Sequence, residues 1–274
     1  MKNALRISLL LIALLFLLAW RFAPARQAPD EPEPSGEVRR PDAAVPDHTR
    51  TLRVLHGGAS FTESQIVNPK VMEAIYDNII LGPLHNPANI QGIEACQKMM
   101  PDTPNVAVFD TAFHQTMPDY AYMYAVPYDY YTRLKVRRYG FHGTSHRFVS
   151  KRAAQMLGSA DGKGLKLIIC HLGNGSSLSA VKDGKCVDTS MGITPLEGMV
   201  MGTRSGDIDA AALQYIMKRD GIGIEEMTTI LNKKSGLMGV SGVSSDMRDL
   251  TAAMEAGNER AILAIKMMTY RLKK

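Results

Sequence analysis

The sequence predicts an α/β fold for the part of the chain that starts at residue 53. Short β-rich runs (LRVLH, NVAVFD, LKLIICHLG, SSLSAVK) alternate with segments whose apolar residues recur at helical spacing. Alternating strands and helices pack as α/β layers. The chain has 274 residues, 45% of them hydrophobic and 22% charged, which is a globular balance. That length buries one large core or two modest ones without disulfide staples.

The first 52 residues have a different texture. Residues 1–26 read as a signal peptide or a short membrane anchor. An unbroken apolar run fills 7–20, with Lys2 and Arg6 before it and Arg21 after it. The run is shorter than the ~20 residues a membrane span needs, and it matches the apolar region of a secretory leader. A buried core helix is the other reading. Residues 27–52 read as a Pro-rich flexible linker, because six prolines between 24 and 46 block helix and little is apolar. The net charge is +5, but the bases are scattered, so no nucleic-acid partner is expected. Cys96, Cys170 and Cys186 are an odd, widely spaced set. They form no disulfide scaffold and no CxxC zinc site, and they suit a reducing compartment.

The elements follow in order. The run RVLHGG (53–58) is a strand carrying a base into paired glycines. NPKVMEAIYDNII is a helix. The strand NVAVF ends on Asp110, a carboxylate that either points into a ligand crevice or caps the following TAFHQTMP. In RYGFHGTSH (138–146), His142 and His146 open the helix SHRFVSKRAAQML, with Ser145 at the N-cap position. No carboxylate completes a zinc motif. His142 reads as a donor to a ligand, or as a structural histidine held by backbone.

LIICHLGNGSSLSAVK reads as two strands joined at Asn174-Gly175, a hairpin signal. Its glycines also let backbone N–H groups approach a phosphate, although no Walker lysine follows. Arg204, in MGTRSGD (201–207), lies in a Gly/Ser-rich turn before the helix DIDAAALQYIMKR, with Asp207 at the N-cap position. It suits an anion, or it is a solvated arginine. GLMGVSGVSSDMR (236–248) reads as a loop or a nucleotide contact. NERAILAIKMMTYRL is the last helix.

Taken together, RVLHGG (53–58), PLHNPAN (83–89), FDTAFHQTMP (109–118), YGFHGTSH (139–146), HLGNG (171–175), MGTRSGD (201–207) and SGVSSDMR (241–248) closely resemble the acetate kinase family, in that family's order. The resemblance implies the two-lobed α/β fold shared with actin, Hsp70 and sugar kinases (ribonuclease H-like). Residues 53–112 would be part of a first lobe and 113–274 part of a second. It implies reversible transfer of the γ-phosphoryl of ATP to acetate, giving acetyl phosphate and ADP, with Mg²⁺, in the cytoplasm, by a homodimer joined through the second lobe. Asp110, His142 and Arg204 would be catalytic. Arg53 would hold carboxylate or phosphoryl oxygens, and Leu55, Leu84, Phe141 and Pro195 would wall the acetate pocket. His171, Leu172, Gly173, Asn174 and Gly175 would meet the ATP phosphates, and Asp246, Met247 and Arg248 the adenosine.

The family pattern also departs from this chain. Its opening Asn-Ala-Gly-Ser-Ser-Ser…Lys loop is replaced here by the apolar run and linker. Its second Gly-rich loop and late Mg²⁺-linked Glu fall beyond the position of Lys274, and Ala210 stands where the family has Pro. The expectation is therefore a chain incomplete at both ends, with reduced activity and the family's metal ligands in the missing segments. Two alternatives accompany it. One is a nucleotide-binding remnant without turnover, tethered to a membrane through residues 7–20. The other is a propionate or butyrate kinase, since one methylene changes binding by only ~1–3 kcal/mol.

Overall fold

A computed structural model describes residues 50–58, 60–82 and 85–274, with side chains from Leu55 onward. The leader-like segment 1–26 and the linker as far as residue 49 lie outside the described residues. So do Leu84 and the side chain of Arg53.

The first sheet has three strands in the order β1-β3-β2: β1 (Arg50–Leu55), β2 (Gln65–Ile66) and β3 (Asn105–Phe109). β1 and β3 are parallel, pairing Leu52 with Ala107 and Leu55 with Phe109, and the register shifts between those two pairs. Parallel neighbours need a long crossover. Here it holds α1 (Pro69–Asp77) and α2 (Asn86–Met99). Asn68 starts α1 by accepting from the Val71 N–H at 3.0 Å, with Pro69 in the first turn, where its missing donor costs nothing. Val71 and Ile75 of α1, and Ile90 and Ile93 of α2, bury against Leu55, Ala107 and Phe109. Phe61 stacks on Phe109 at 4.1 Å between ring centroids.

After β3 come a 3₁₀ turn (Ala112–Thr116), α3 (Asp119–Tyr122), α4 (Tyr128–Leu134) and α5 (Gly143–Met156). The second sheet is an antiparallel meander of β4 (Lys166–Leu172), β5 (Ser176–Lys182) and β6 (Lys185–Thr189). Asp183 and Gly184 turn the chain between β5 and β6 with φ of 52° and 76°, the conformation a tight hairpin needs. An irregular stretch leads to α6 (Ala210–Asp220), α7 (Ile224–Lys233), α8 (Gly236–Ser241), α9 (Met247–Glu255) and α10 (Glu259–Lys273). Leu237, Leu250, Ala261 and Ala264 of α8, α9 and α10 close a core around Val200. Among the described residues, no helix is long and apolar enough to cross a membrane.

Two expected N-caps are corrected. α5 begins at Gly143, so Ser145 lies inside its first turn and His142 takes the cap position. α6 begins at Ala210, capped by Asp209, which accepts from the Ala211 N–H at 2.9 Å. Asp207 instead accepts from the Gly198 N–H at 2.7 Å, clasping the preceding loop. Asp209 is closer to the helix and wins the cap.

Candidate active site

Asp110 extends β3 beyond Phe109, its N–H donating to the Leu55 carbonyl at 3.0 Å, and it is buried. One carboxylate oxygen accepts from the His142 N–H at 2.6 Å and the other from the Thr144 N–H at 3.3 Å. The Asp110 carbonyl accepts from the Gly143 N–H at 2.9 Å. Three consecutive amides therefore converge on one residue, an anion nest of the kind found at helix starts. His142 sits at φ 60°, a left-handed conformation that costs a side-chain-bearing residue ~1–2 kcal/mol. The nest offsets that cost. Asp110 is thus a cap, but of α5 rather than of the turn that follows β3.

The His142 ring stacks on His171 at 3.9 Å, and its Nδ1 lies 2.8 Å from Ser177 Oγ. Its Nε2 faces Gly175. A β-carbon added at Gly175 would stand 3.2 Å from that nitrogen and 3.3 Å from Arg204 Nη1. A side chain there would press on both, so an imidazole, a guanidinium and a backbone meet closely at this point. Arg204 Nη1 donates to the Pro195 carbonyl at 3.1 Å. Burial lowers the Arg204 pKa, and a guanidinium starts high enough to stay cationic at neutral pH.

The hairpin loop is tied to the Arg204 segment. The Gly202 N–H donates to the Asn174 carbonyl at 3.0 Å, and a β-carbon at Gly202 would meet Asn174 Oδ1 at 2.3 Å. Within the loop, the Gly173 N–H donates to the Gly175 carbonyl at 3.1 Å and Ser176 Oγ to the Gly173 carbonyl at 3.0 Å. His171 Nδ1 is 2.9 Å from Ser145 Oγ, while Leu172, Gly173 and Asn174 are exposed at the tip.

Burial, then the neighbouring His171, His146, Arg204 and His85, pushes the His142 pKa down to about 3. It is a neutral imidazole at pH 7, a hydrogen-bond donor rather than a cation. His85, at the start of α2, feels both Arg204 and Asp110, and burial lowers its pKa first. It links the first sheet to this site. The PLHNPAN motif was its only sequence signal.

Of the expected pocket residues, Leu55 is fully buried in the first core. Phe141 is buried with Met191 and Met201, and it meets His56 edge-on at 5.3 Å. His56 Nδ1 accepts from the Gly58 N–H at 3.0 Å, so its proton sits on Nε2 and donates to the Ile193 carbonyl at 3.3 Å. Near Pro195 lies a polar cluster that no spacing in the sequence signals. Arg138 pairs with Glu197 at 2.5 Å and donates to the Thr189 and Ser190 carbonyls at 2.9 Å each. The Tyr124 hydroxyl donates to Glu197 and accepts from the Ile193 N–H at 3.0 Å. These bonds fix the loop on which Arg204 leans.

Asp246 caps α9 through the Arg248 N–H at 2.8 Å and pairs with the Arg248 side chain at 2.6 Å, which holds its carboxyl down to about 2. This pair and Met247 face outward. Ser245 stands beside Gly202, 3.2 Å from a β-carbon added there, which places the segment next to Asn174. The structure therefore gathers His142, His171, Asn174, Gly175, Pro195 and Arg204, with Asp110 beneath and 246–248 to one side.

The donors at this point are N–H and guanidinium groups, which fit phosphate oxygens. Among the described residues, no group of three or more His, Cys, Asp or Glu is placed to hold a metal ion. Mg²⁺ is commonly bound through one or two carboxylates and substrate phosphates. The Asp110 carboxylate keeps two lone pairs beyond those its amide partners take.

Comparison with known proteins adds to this geometry. The Acetokinase family model matches residues 49–274. Acetate kinase of Phocaeicola vulgatus is 61% identical over 222 residues, covering 81% of this chain and 56% of that protein. Acetate kinase of Treponema denticola is 60% identical over 224 residues, with the same shares. The crystal structure of Porphyromonas gingivalis acetate kinase superposes with a TM-score of 0.76 at 49% identity, over 82% of this chain and 55% of that one. A propionate kinase from Francisella tularensis gives 0.77 at 49% identity, over 80% and 56%. The chain spans about half the length of the curated relatives it matches. The likeness bears out the expected fold class, that of actin, Hsp70 and sugar kinases.

Proposed function

We propose, from the premise that this chain belongs to the acetokinase family, that its cleft moves a phosphoryl group between ATP and acetate. The observation that carries this reading is the space bounded by His142 Nε2, Arg204 Nη1 and Gly175. In the reaction a carboxylate oxygen of acetate bonds to the γ-phosphorus while the bond from that phosphorus to the β,γ-bridging oxygen breaks. ADP leaves. The nucleophile is ionised at neutral pH and needs no general base. Catalysis then rests on positioning and on donors aimed at the equatorial oxygens, where charge gathers. Arg204 supplies a fixed cation and neutral His142 an N–H.

Asp110 holds the His142 backbone through the nest. By the family resemblance, Arg53 would hold carboxylate or phosphoryl oxygens. By the same resemblance, Leu55, Leu84, Phe141 and Pro195 would wall the acetate side. The 171–175 loop meets the ATP phosphates, and residues 246–248 lie on the nucleoside side. Asp110 would be the residue to hold Mg²⁺, which when bound would supply positive charge against the phosphate oxygens. This reading keeps the first lobe at 53–112 and the second at 113–274, in the cytoplasm, where ATP is.

The purified chain, given Mg-ATP, acetate and hydroxylamine, is expected to form acetyl hydroxamate above the level of a His142→Ala control. No hydroxamate with acetate, propionate or butyrate would overturn the reading. The likeness to a propionate kinase makes the acetate-to-propionate rate ratio the readout of substrate choice.

A further inference from the structure

Two chains of imidazoles and hydroxyls run beneath the site, and one of them has a fixed direction. His114 Nε2 lies 3.2 Å from Ser179 Oγ, Ser179 Oγ donates to Thr189 Oγ1 at 3.2 Å, and Thr189 Oγ1 donates to the Leu178 carbonyl at 2.8 Å. A carbonyl only accepts. Both hydroxyl protons are therefore committed, and Ser179 must accept from His114. The His114 proton sits on Nε2. Its Nδ1 is left as a bare lone pair, buried with no hydrogen-bond partner among the described residues.

The second chain passes through the site itself. Ser177 is fully buried, and its Oγ lies 2.7 Å from His146 Nε2 and 2.8 Å from His142 Nδ1. One hydroxyl proton serves two ring nitrogens, so at least one ring must donate for both contacts to be hydrogen bonds, and three of the four combinations allow that. If both rings donate, the Ser177 proton is orphaned. If His142 donates and His146 accepts, the His146 proton moves to Nδ1, which is buried with no partner among the described residues. An orphaned buried donor is the rarer and costlier fault. If His146 donates to Ser177 and Ser177 donates to His142 Nδ1, the His146 N–H and the Ser177 O–H are both paired. The one orphan is then the lone pair on His146 Nδ1, as at His114. Burial pushes the His146 pKa down to about 4, so both rings are neutral at pH 7 and each carries a single proton.

We propose that Ser177 and His146 are positioning residues that lock His142 as the Nε2–H tautomer, so that the imidazole presents a donor beside Arg204. The consequence for catalysis rests on the reading that a phosphoryl group occupies that space. The opposite tautomer would aim a lone pair at a phosphoryl oxygen. It would also offer Arg204 an acceptor, whereas Arg204 donates to Pro195 instead.

The test is a long-range ¹H–¹⁵N spectrum of the labelled full chain, which separates protonated from bare ring nitrogens. The wild type is expected to show His142 with a protonated Nε2 and a bare Nδ1. Ser177→Ala is expected to mix the two His142 tautomers and to slow transfer about tenfold, the scale of one hydrogen bond. Ser177→Thr keeps the hydroxyl and His146→Gln keeps a donor, so both should hold the wild-type His142 pattern. His146→Leu should not. A wild-type proton on Nδ1 would overturn the proposal, and so would Ser177→Ala leaving both the spectrum and the rate unchanged. The expected spectra in a chain without transfer activity would uphold this proton placement and count against the proposed function.

Discussion

Between pH 6.5 and pH 4 the folded state is expected to lose stability steeply as the pH falls. Four histidines drive this. Burial, the largest cause in each, pushes His56 and His146 down to about 4 and His114 and His142 down to about 3, from an ordinary 6.5. In the unfolded chain each ring takes a proton as the pH drops past 6.5. In the folded chain each waits until pH 3–4. Across that window the unfolded state binds more protons, so stability must fall with pH. Above pH 6.5 the contribution is complete and flat. Each proton difference is worth about 1.4 kcal/mol per pH unit, so four give about 5 kcal/mol per unit at the steepest point. Against a total of ~5–15 kcal/mol for a typical fold, that places acid unfolding near pH 5. Urea midpoints followed by circular dichroism from about pH 7.5 to 4.5 check it. His114→Gln keeps the donor to Ser179 and removes one titrating ring, so it should cut the slope by about a quarter. Stability that is level or rising between pH 6.5 and 5 would contradict the burial of neutral rings.

Arg204→Ala is expected to lower the transfer rate by about 10³–10⁵, the range for an arginine that neutralises charge on a migrating phosphoryl group. The size follows from the site. Arg204 is a cation fixed on that space, its donor partner His142 is neutral, and the loop beneath it is braced by Arg138 and Glu197. Arg204→Lys keeps charge but loses the planar fork, so it should recover only part of the rate. Hydroxamate formation measured beside circular dichroism separates lost chemistry from lost fold. A loss below tenfold in a folded Arg204→Ala protein would remove Arg204 from the transition state.

The sequence exposed most strands and the long helices, because their periodicity is local. NVAVF, KLIICHL and SSLSAVK became β3, β4 and β5, and NERAILAIKMMTYRL became α10. α2 was harder to see. Its first turn holds Pro87 and its middle Gly92, and two buried isoleucines are a thin apolar stripe. β6 is signalled only by the Asp183-Gly184 turn, because its five residues, KCVDT, carry too short an alternation to read. β2 has two residues and no periodicity to read.

At the site, His142, Arg204 and Gly175 were legible as motif residues, but what joins them was not. Asp110 reads as a strand-end carboxylate in sequence, yet it grips amides 32 and 34 residues away. The Arg138–Glu197 pair spans 59 residues and His142–Ser177 spans 35. Such long-range partners leave no spacing pattern. The proton order through Ser177 required knowing which buried nitrogens lack partners.

His142 Nε2, Arg204 and Gly175 should all face one phosphoryl group. The most direct measurement is titration of ¹⁵N-labelled chain with acetyl phosphate. The Gly175 amide and the His142 Nε2 resonance should shift together along one saturating curve, and the shift should vanish in Arg204→Ala. Saturable binding that leaves both signals unmoved, or that persists unchanged without Arg204, would contradict it.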